Sequence, residues 1–244
     1  MNQMSPILER LDRRFAIGAL VLAASVALLV AGLVSVLSAL TDDPANLPNE
    51  GSLESILQDS IDPEEPSTLV ASENAGPPPA APVRLSIPRL YVDAPVITLG
   101  VNEDRIPEVP KTGEEVAWYD FSASPGDDNN AVLSGHVDWQ TRDGDPIPGV
   151  FYRLREAEIG DVIQIDLDDG TVLQYRVTGN VAAEFDDPNV LKAMGPASKD
   201  VLTLVTCGGT WFNDRSAAYG GNYSHRIVVR AERMPELADA GIES

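Results

Sequence analysis

The chain has 244 residues, with 38 acidic against 17 basic side chains and a formal charge of −21. That balance argues against nucleic acid as a partner, because its phosphates would be repelled. A single cysteine, Cys207, and two histidines, His136 and His225, exclude an internal disulfide and leave little for a zinc site.

Residues 1–15 contain Arg10, Arg13 and Arg14 and precede an uncharged run rich in Ala, Val and Leu at 16–40. At about 1.5 Å per residue, such a run makes a helix of roughly 37 Å, enough to cross a hydrocarbon core near 30 Å with some tilt. The arginines before it, and Asp42 and Asp43 after it, predict a cytoplasmic N-terminus and a single-pass protein whose remainder is extracellular. A signal peptide cleaved near Val36-Leu37-Ser38 is the rival reading. The apolar core is longer than such peptides usually carry, which favours an uncleaved membrane anchor.

Residues 41–82 hold nine acidic residues and no Lys or Arg, and end in Gly76-Pro77-Pro78-Pro79-Ala80-Ala81-Pro82. A segment with so little apolar surface cannot offset the entropy of ordering, so it reads as a disordered linker spanning roughly 35 Å on average. One piece breaks the pattern. Ser52 is placed to cap a short helix with Leu53, Ile56, Leu57 and Ile61 on one face. Two readings stand for it: a turn that never docks, or a lid or pseudo-substrate across the domain's groove.

From residue 83 the signals are short strands: 84–87, 94–99, 131–136, 162–166, 172–181, 201–206 and 227–229. Turn signals separate them, and Asp168-Asp169-Gly170 between two of them predicts a hairpin. The helical pieces, 149–155 and 188–194, are short. Many short strands with little helix predict an all-β barrel or sandwich over 83–233, followed by a frayed tail at 234–244. This domain carries 24 acidic against 14 basic residues, a solvated acidic surface that would also attract a cationic amine.

Outside the cytoplasm a free thiol is an oxidation liability, so a chain that keeps one there has a use for it. Cysteine attacks carbonyls as its thiolate and needs a neighbour to take or balance its proton, a task suited to histidine. His136 ends one predicted strand and Cys207 follows another, so one rim of a barrel is placed to hold both. The alternative, two buried packing residues, stays open on composition alone.

At these residues the chain resembles a sortase. Thr203-Leu204-Val205-Thr206-Cys207 is similar to that family's TLxTC motif, and Gly135-His136-Val137-Asp138 to its histidine motif. The order His, Cys, then Arg near the last strand also fits. So do Ile87-Pro88, Trp118-Tyr119, the stretch from Phe151 to Leu154, and Gly160-Asp161. Gly208-Gly209 after the cysteine is similar to the subclasses called E and F.

The resemblance implies a closed barrel of about eight strands and a cysteine transpeptidase of the cell surface. Cys207 would attack an LPxTG-like sorting motif near the C-terminus of a secreted protein and form a thioester, which an amine of the cell wall or of a pilin then resolves. His136 would move protons between the two amines. Arg226 would face the oxyanion, with Arg230 and Arg215 as runners-up. Thr206, Gly208, Gly209 and Trp211 are candidate substrate-binding residues. The two glycines either bring N–H groups to the oxyanion or simply make a turn. Residues 210–223 read as a loop whose aromatics contact substrate or anchor the loop itself. No cofactor is expected. Asp127, Asp128, Asp143 and Asp145 offer oxygen ligands to Ca²⁺, against the commoner reading of turn-forming aspartates. A non-catalytic, membrane-tethered β-module is the alternative from a different class.

Overall fold

A computed structural model of the chain describes residues 47–61, 80–103, 105–140, 146–215 and 220–235. The apolar run at 16–40 and the linker residues 62–79 lie outside the described residues, as does the tail from 236 onward.

In chain order the strands are β1 (Asn49–Glu50), β2 (Pro82–Ile87), β3 (Val92–Leu99), β4 (Val116–Tyr119), β5 (Asn130–Gly135), β6 (Asp138–Gln140) and β7 (Pro146–Pro148). Then follow β8 (Val162–Leu167), β9 (Val172–Glu184), β10 (Val201–Asn213) and β11 (Gly221–Arg233). The helices are α1 (Leu53–Leu57) and α2 (Pro188–Ala193), with 3₁₀ turns at Pro88–Leu90 and Leu154–Glu156.

The main sheet runs β1-β9-β11-β10-β5-β4-β3-β2-β8, and β8 pairs back onto β9, so eight strands close on themselves. Closure removes the free edges that an open sheet would have to protect. The expected hairpin joins β8 and β9, with Gly170 at φ +88° in its turn. Burial alternates along both of its strands, one face in the core and the other wet. Leu85, Ile87, Phe151, Leu154, Tyr175, Leu202 and Leu204 fill the interior and are wholly or almost wholly buried.

Strands β5 and β10 are different. Their paired portions are buried on both faces, which explains why their sequences read as nearly unbroken apolar runs. The outward residues Val181, Ala183 and Val228 are covered by Ile56 of α1 and by Val190 and Ala193 of α2.

That cover corrects the linker reading for residues 47–61. Ser52 caps α1 with a full capping box, its Oγ accepting from Ser55 N–H at 3.1 Å and Ser55 Oγ accepting from Ser52 N–H at 3.2 Å. Ile56 is 3% exposed, while Leu53 and Leu57 pack against the same cluster. Burying one isoleucine contributes about 1.5–3 kcal/mol, and a cap about 1 kcal/mol more. The Ser52-capped helix is the one the spacing predicted, and of the two readings offered for it the docked one holds, on Val181, Ala183 and Val228. Ile61, expected on the same face, is 36% exposed and outside the contact.

The strand bounds also needed correction. β10 does not end at Thr206 but runs through Cys207 to Asn213, and β11 begins at Gly221. The region read as a loop over the groove is therefore largely a hairpin extension, with Trp211 paired to Tyr223 and Phe212 to Asn222. The piece at 149–155 makes turns and a short 3₁₀ segment rather than a helix, whereas 188–194 contains the helix it predicted.

Candidate active site

β5 and β10 lie side by side and parallel, and β5 ends alongside the middle of the longer β10. The paired register ends with Val205 opposite Ser134; His136 follows directly after the last residue of β5, and Cys207 lies two residues past Val205 on β10. On the other side of β10, Cys207 is the Cα partner of Arg226 in antiparallel β11. Cysteine and arginine are thus partners in one row of β10 and β11, and the histidine follows the end of β5, the strand on the other side of β10. Partners in a row share a face of the sheet.

Local packing sets the row. Thr206 Oγ1 donates to the Gly135 carbonyl at 2.8 Å, tying the two strands at the last step before the reactive pair. Beyond it the backbone of His136 is gripped by the next segment: Phe151 N–H donates to the His136 carbonyl at 2.9 Å, and Gly149 N–H to that of Val137 at 3.0 Å. A Cβ on Gly149 would strike the His136 carbonyl, so only glycine allows this approach.

The imidazole of His136 is half-buried, with its Nε2 2.8 Å from the Pro110 carbonyl. A carbonyl only accepts, so Nε2 is the donor in this bond, which leaves Nδ1 as the acceptor of the neutral tautomer. The Trp139 ring lies 4.7 Å away, centre to centre. On the far side of the row, Arg226 Nη2 donates to Asn222 Oδ1 at 2.9 Å and Nη1 to the His225 carbonyl at 3.0 Å. These bonds aim the fork, and among the described residues no carboxylate forms an ion pair with it.

Burial pushes the Cys207 thiol up from its ordinary range; Arg226 pulls it back down, and Asp138 pushes it up again. Burial thus favours the neutral thiol over the thiolate. A cavity of about 250 Å³ opens beside it. Most of its wall is apolar, including Leu47, Ile147, Pro148, Phe151 and Ile227, and its charged lining residues are Asp138 and Arg155. A shaped apolar pocket with a few polar groups next to a nucleophile is suited to a side chain of an extended peptide.

Of the other sequence candidates, Thr206, Gly208 and Gly209 line this cavity and Trp211 does not. Thr206 is buried and spends its hydroxyl on Gly135. Gly208 presses against Ile227, and Gly209 sits at φ +78°, where a Cβ would meet Ser224 Oγ and His225 Nδ1. The register of β10 and β11 shifts there, so the pair forms a bulge. Trp211 is 47% exposed and packs edge-on against Tyr223, centroids 5.1 Å apart.

Arg230 is buried under both helices, its Nη2 donating to the Ile56 and Ala193 carbonyls, and burial drives its pKa down to about 10. It partners Thr203, four positions before Cys207, and Arg215 is exposed near the hairpin's tip. His225 is engaged elsewhere: Thr210 N–H donates to Ser224 Oγ, whose hydroxyl faces His225 Nδ1 at 2.8 Å. Among the described residues no cluster of three or more metal-ligating side chains forms, and Asp143 and Asp145 lie outside them.

Sequence reasoning passed over Asp138, Tyr152, Arg155 and Leu47 as site residues. Asp138 was within reach, two positions after His136; Leu47 was hidden in a segment read as linker.

A family model described as Sortase domain matches residues 85–234. Among solved structures, the chain is similar to a lid mutant of sortase A from Corynebacterium diphtheriae, at 24% identity and TM-score 0.44, covering 67% of this chain and 74% of that one. It is also similar to sortase C1 from Streptococcus suis, at 24% identity and TM-score 0.45, covering 66% and 77%. A third is a Clostridium perfringens sortase D5 transpeptidase, at 18% identity and TM-score 0.43, covering 64% and 79%. Among curated proteins there is no match.

Proposed function

The chain belongs to the sortase family and is a cysteine transpeptidase; from that premise we propose that it is a membrane-anchored enzyme that cleaves an LPxTG-like sorting motif through a thioester on Cys207. The acyl group then passes to an amine on the cell surface, of the wall or of a pilin. The observation that carries the reading is Cys207 paired with Arg226 beside an apolar pocket, with His136 directly after the end of the adjoining strand β5.

In this mechanism the thiol gives its proton to Nδ1 of His136 as the sulfur attacks the peptide carbonyl. Arg226 faces the oxyanion of the tetrahedral intermediate, where a permanent charge and two donors strengthen as negative charge develops. His136 then protonates the departing amine. In the second half the incoming amine loses a proton through the same imidazole and the sulfur leaves.

Support for a leucine-proline motif comes from the chain itself. Leu47, followed by Pro48, already lines the pocket beside Cys207, packed near Gly208 and against the core. A leucine side chain next to a proline therefore suits that wall. The uncharged run at 16–40 supports the anchor, with the domain outside the cell, and Gly208-Gly209 supports an E- or F-like subclass. The test is incubation of the full chain in detergent with LPxTG-like peptides and several amines, followed by mass spectrometry. Amide products joined at one motif support the reading; hydrolysis with no amine adduct contradicts it.

A further inference from the structure

We propose that Asp138 is the residue that selects a cationic amine as acceptor, by holding its ammonium group beside the Cys207 thioester. The inference rests on the transpeptidase reading above and extends it to the second substrate.

Asp138 opens β6, two residues beyond His136, and is the one carboxylate among the described residues lining the pocket that contains Cys207. It is half-buried and fixed: the Tyr223 hydroxyl donates to its Oδ2, the only hydrogen bond of that side chain among the described residues. Tyr223 is in turn locked edge-on against Trp211. One oxygen is thus used to aim the group, and Oδ1 is left for a ligand. Arg155 shares the cavity, Arg226 flanks the sulfur on the opposite strand, and the phenols of Tyr152 and Tyr223 complete the polar groups around it.

The placement runs against the first half-reaction. A fixed negative charge near the sulfur disfavours the thiolate, as the upward push on Cys207 reflects. Once the sulfur is acylated it carries no charge, and that cost disappears. The same carboxylate then concentrates an ammonium group at the thioester, in a partly water-excluded site where such attraction is stronger than in bulk. The ammonium loses one proton to water, and the freed lone pair adds to the carbonyl. The C–N bond forms, the C–S bond breaks, and the second amine proton passes through His136 to the departing sulfur.

This predicts opposite effects on the two halves, which a purely structural role would not produce. The test uses the full chain in detergent, an LPxTG-like peptide, and two nucleophiles: propylamine, cationic at neutral pH, and methoxyamine, neutral there. In D138N, alkylation of Cys207 by iodoacetamide at neutral pH should speed up several-fold. The yield of propylamine product relative to methoxyamine product should fall about tenfold. D138E should restore the preference, and added salt should erode it in the wild type and D138E but not in D138N. Equal loss of both products in D138N, or an unchanged ratio, overturns the assignment of Asp138 while leaving the thioester chemistry intact. Absence of any thioester in the wild type overturns both.

Discussion

Cys207 and Arg226 are Cα partners across two antiparallel strands, and no carboxylate forms an ion pair with that guanidinium among the described residues. Its donors go to Asn222 and to two backbone carbonyls of its own strand, which orient the charge without neutralising it. An arginine so oriented suits the oxyanion role proposed for it. R226A should lower kcat for peptide cleavage about 10²–10³-fold, the range seen when one oxyanion donor is lost. R226K should recover only part, since lysine keeps the charge and loses the fork. Steady-state kinetics, with circular dichroism to confirm folding, checks both.

The thiol of Cys207 should ionise above the ordinary cysteine range, because burial outweighs the pull of Arg226. The thiolate is the charged form, so removing a nearby positive charge raises the value and removing a negative one lowers it. Iodoacetamide alkylation followed against pH should therefore show a midpoint moved further up in R226A and down in D138N. A shared midpoint in all three proteins would contradict the electrostatic account of the row.

Leu47 lines the pocket beside Cys207, the wall proposed above for a substrate leucine. L47A should raise kcat/KM for an LPxTG-like peptide several-fold without changing the acylation chemistry. S52A, which removes the capping box of α1, should cost that helix about 1 kcal/mol and speed amide exchange at 53–57. Unchanged exchange in S52A would mean that packing of Ile56 alone holds the segment.

Gly208 and Gly209 tolerate a side chain differently. At Gly209 a methyl group meets Ser224 Oγ and His225 Nδ1, and φ is +78°, so G209A should destabilise the domain by about 1–3 kcal/mol. At Gly208 the obstacle is the flexible end of Ile227. G208A should be milder, and I227V should rescue it in part. Thermal denaturation of the four proteins measures this directly.

Much of this architecture is legible in the residues. The alternation along β8 and β9 and the Asp-Asp-Gly turn between them specify a hairpin, and the apolar runs of β5 and β10 specify strands covered on both faces. His136 and Cys207 were readable because histidine and cysteine are so scarce here. Three things were not legible. The extension of β10 past Cys207 depends on pairing with β11 and on a glycine bulge, both long-range features that local propensity does not encode. The docking of residues 47–61 depends on a bed of Val181, Val190 and Val228 assembled from three distant elements. The site role of Asp138 needs Tyr223, 85 positions away, to become visible.

The central claim is that Cys207 forms the covalent intermediate while His136 and Arg226 flank it. The most direct measurement is intact-protein mass spectrometry of the chain quenched soon after mixing with an LPxTG-like peptide, with proteolytic mapping of the adduct. The account predicts an acyl adduct on Cys207 that has lost the peptide's C-terminal fragment, is discharged by added amine as an amide, and accumulates far more slowly in H136Q and R226A. An adduct on another residue, or peptide cleavage that proceeds undiminished in C207A, would contradict it.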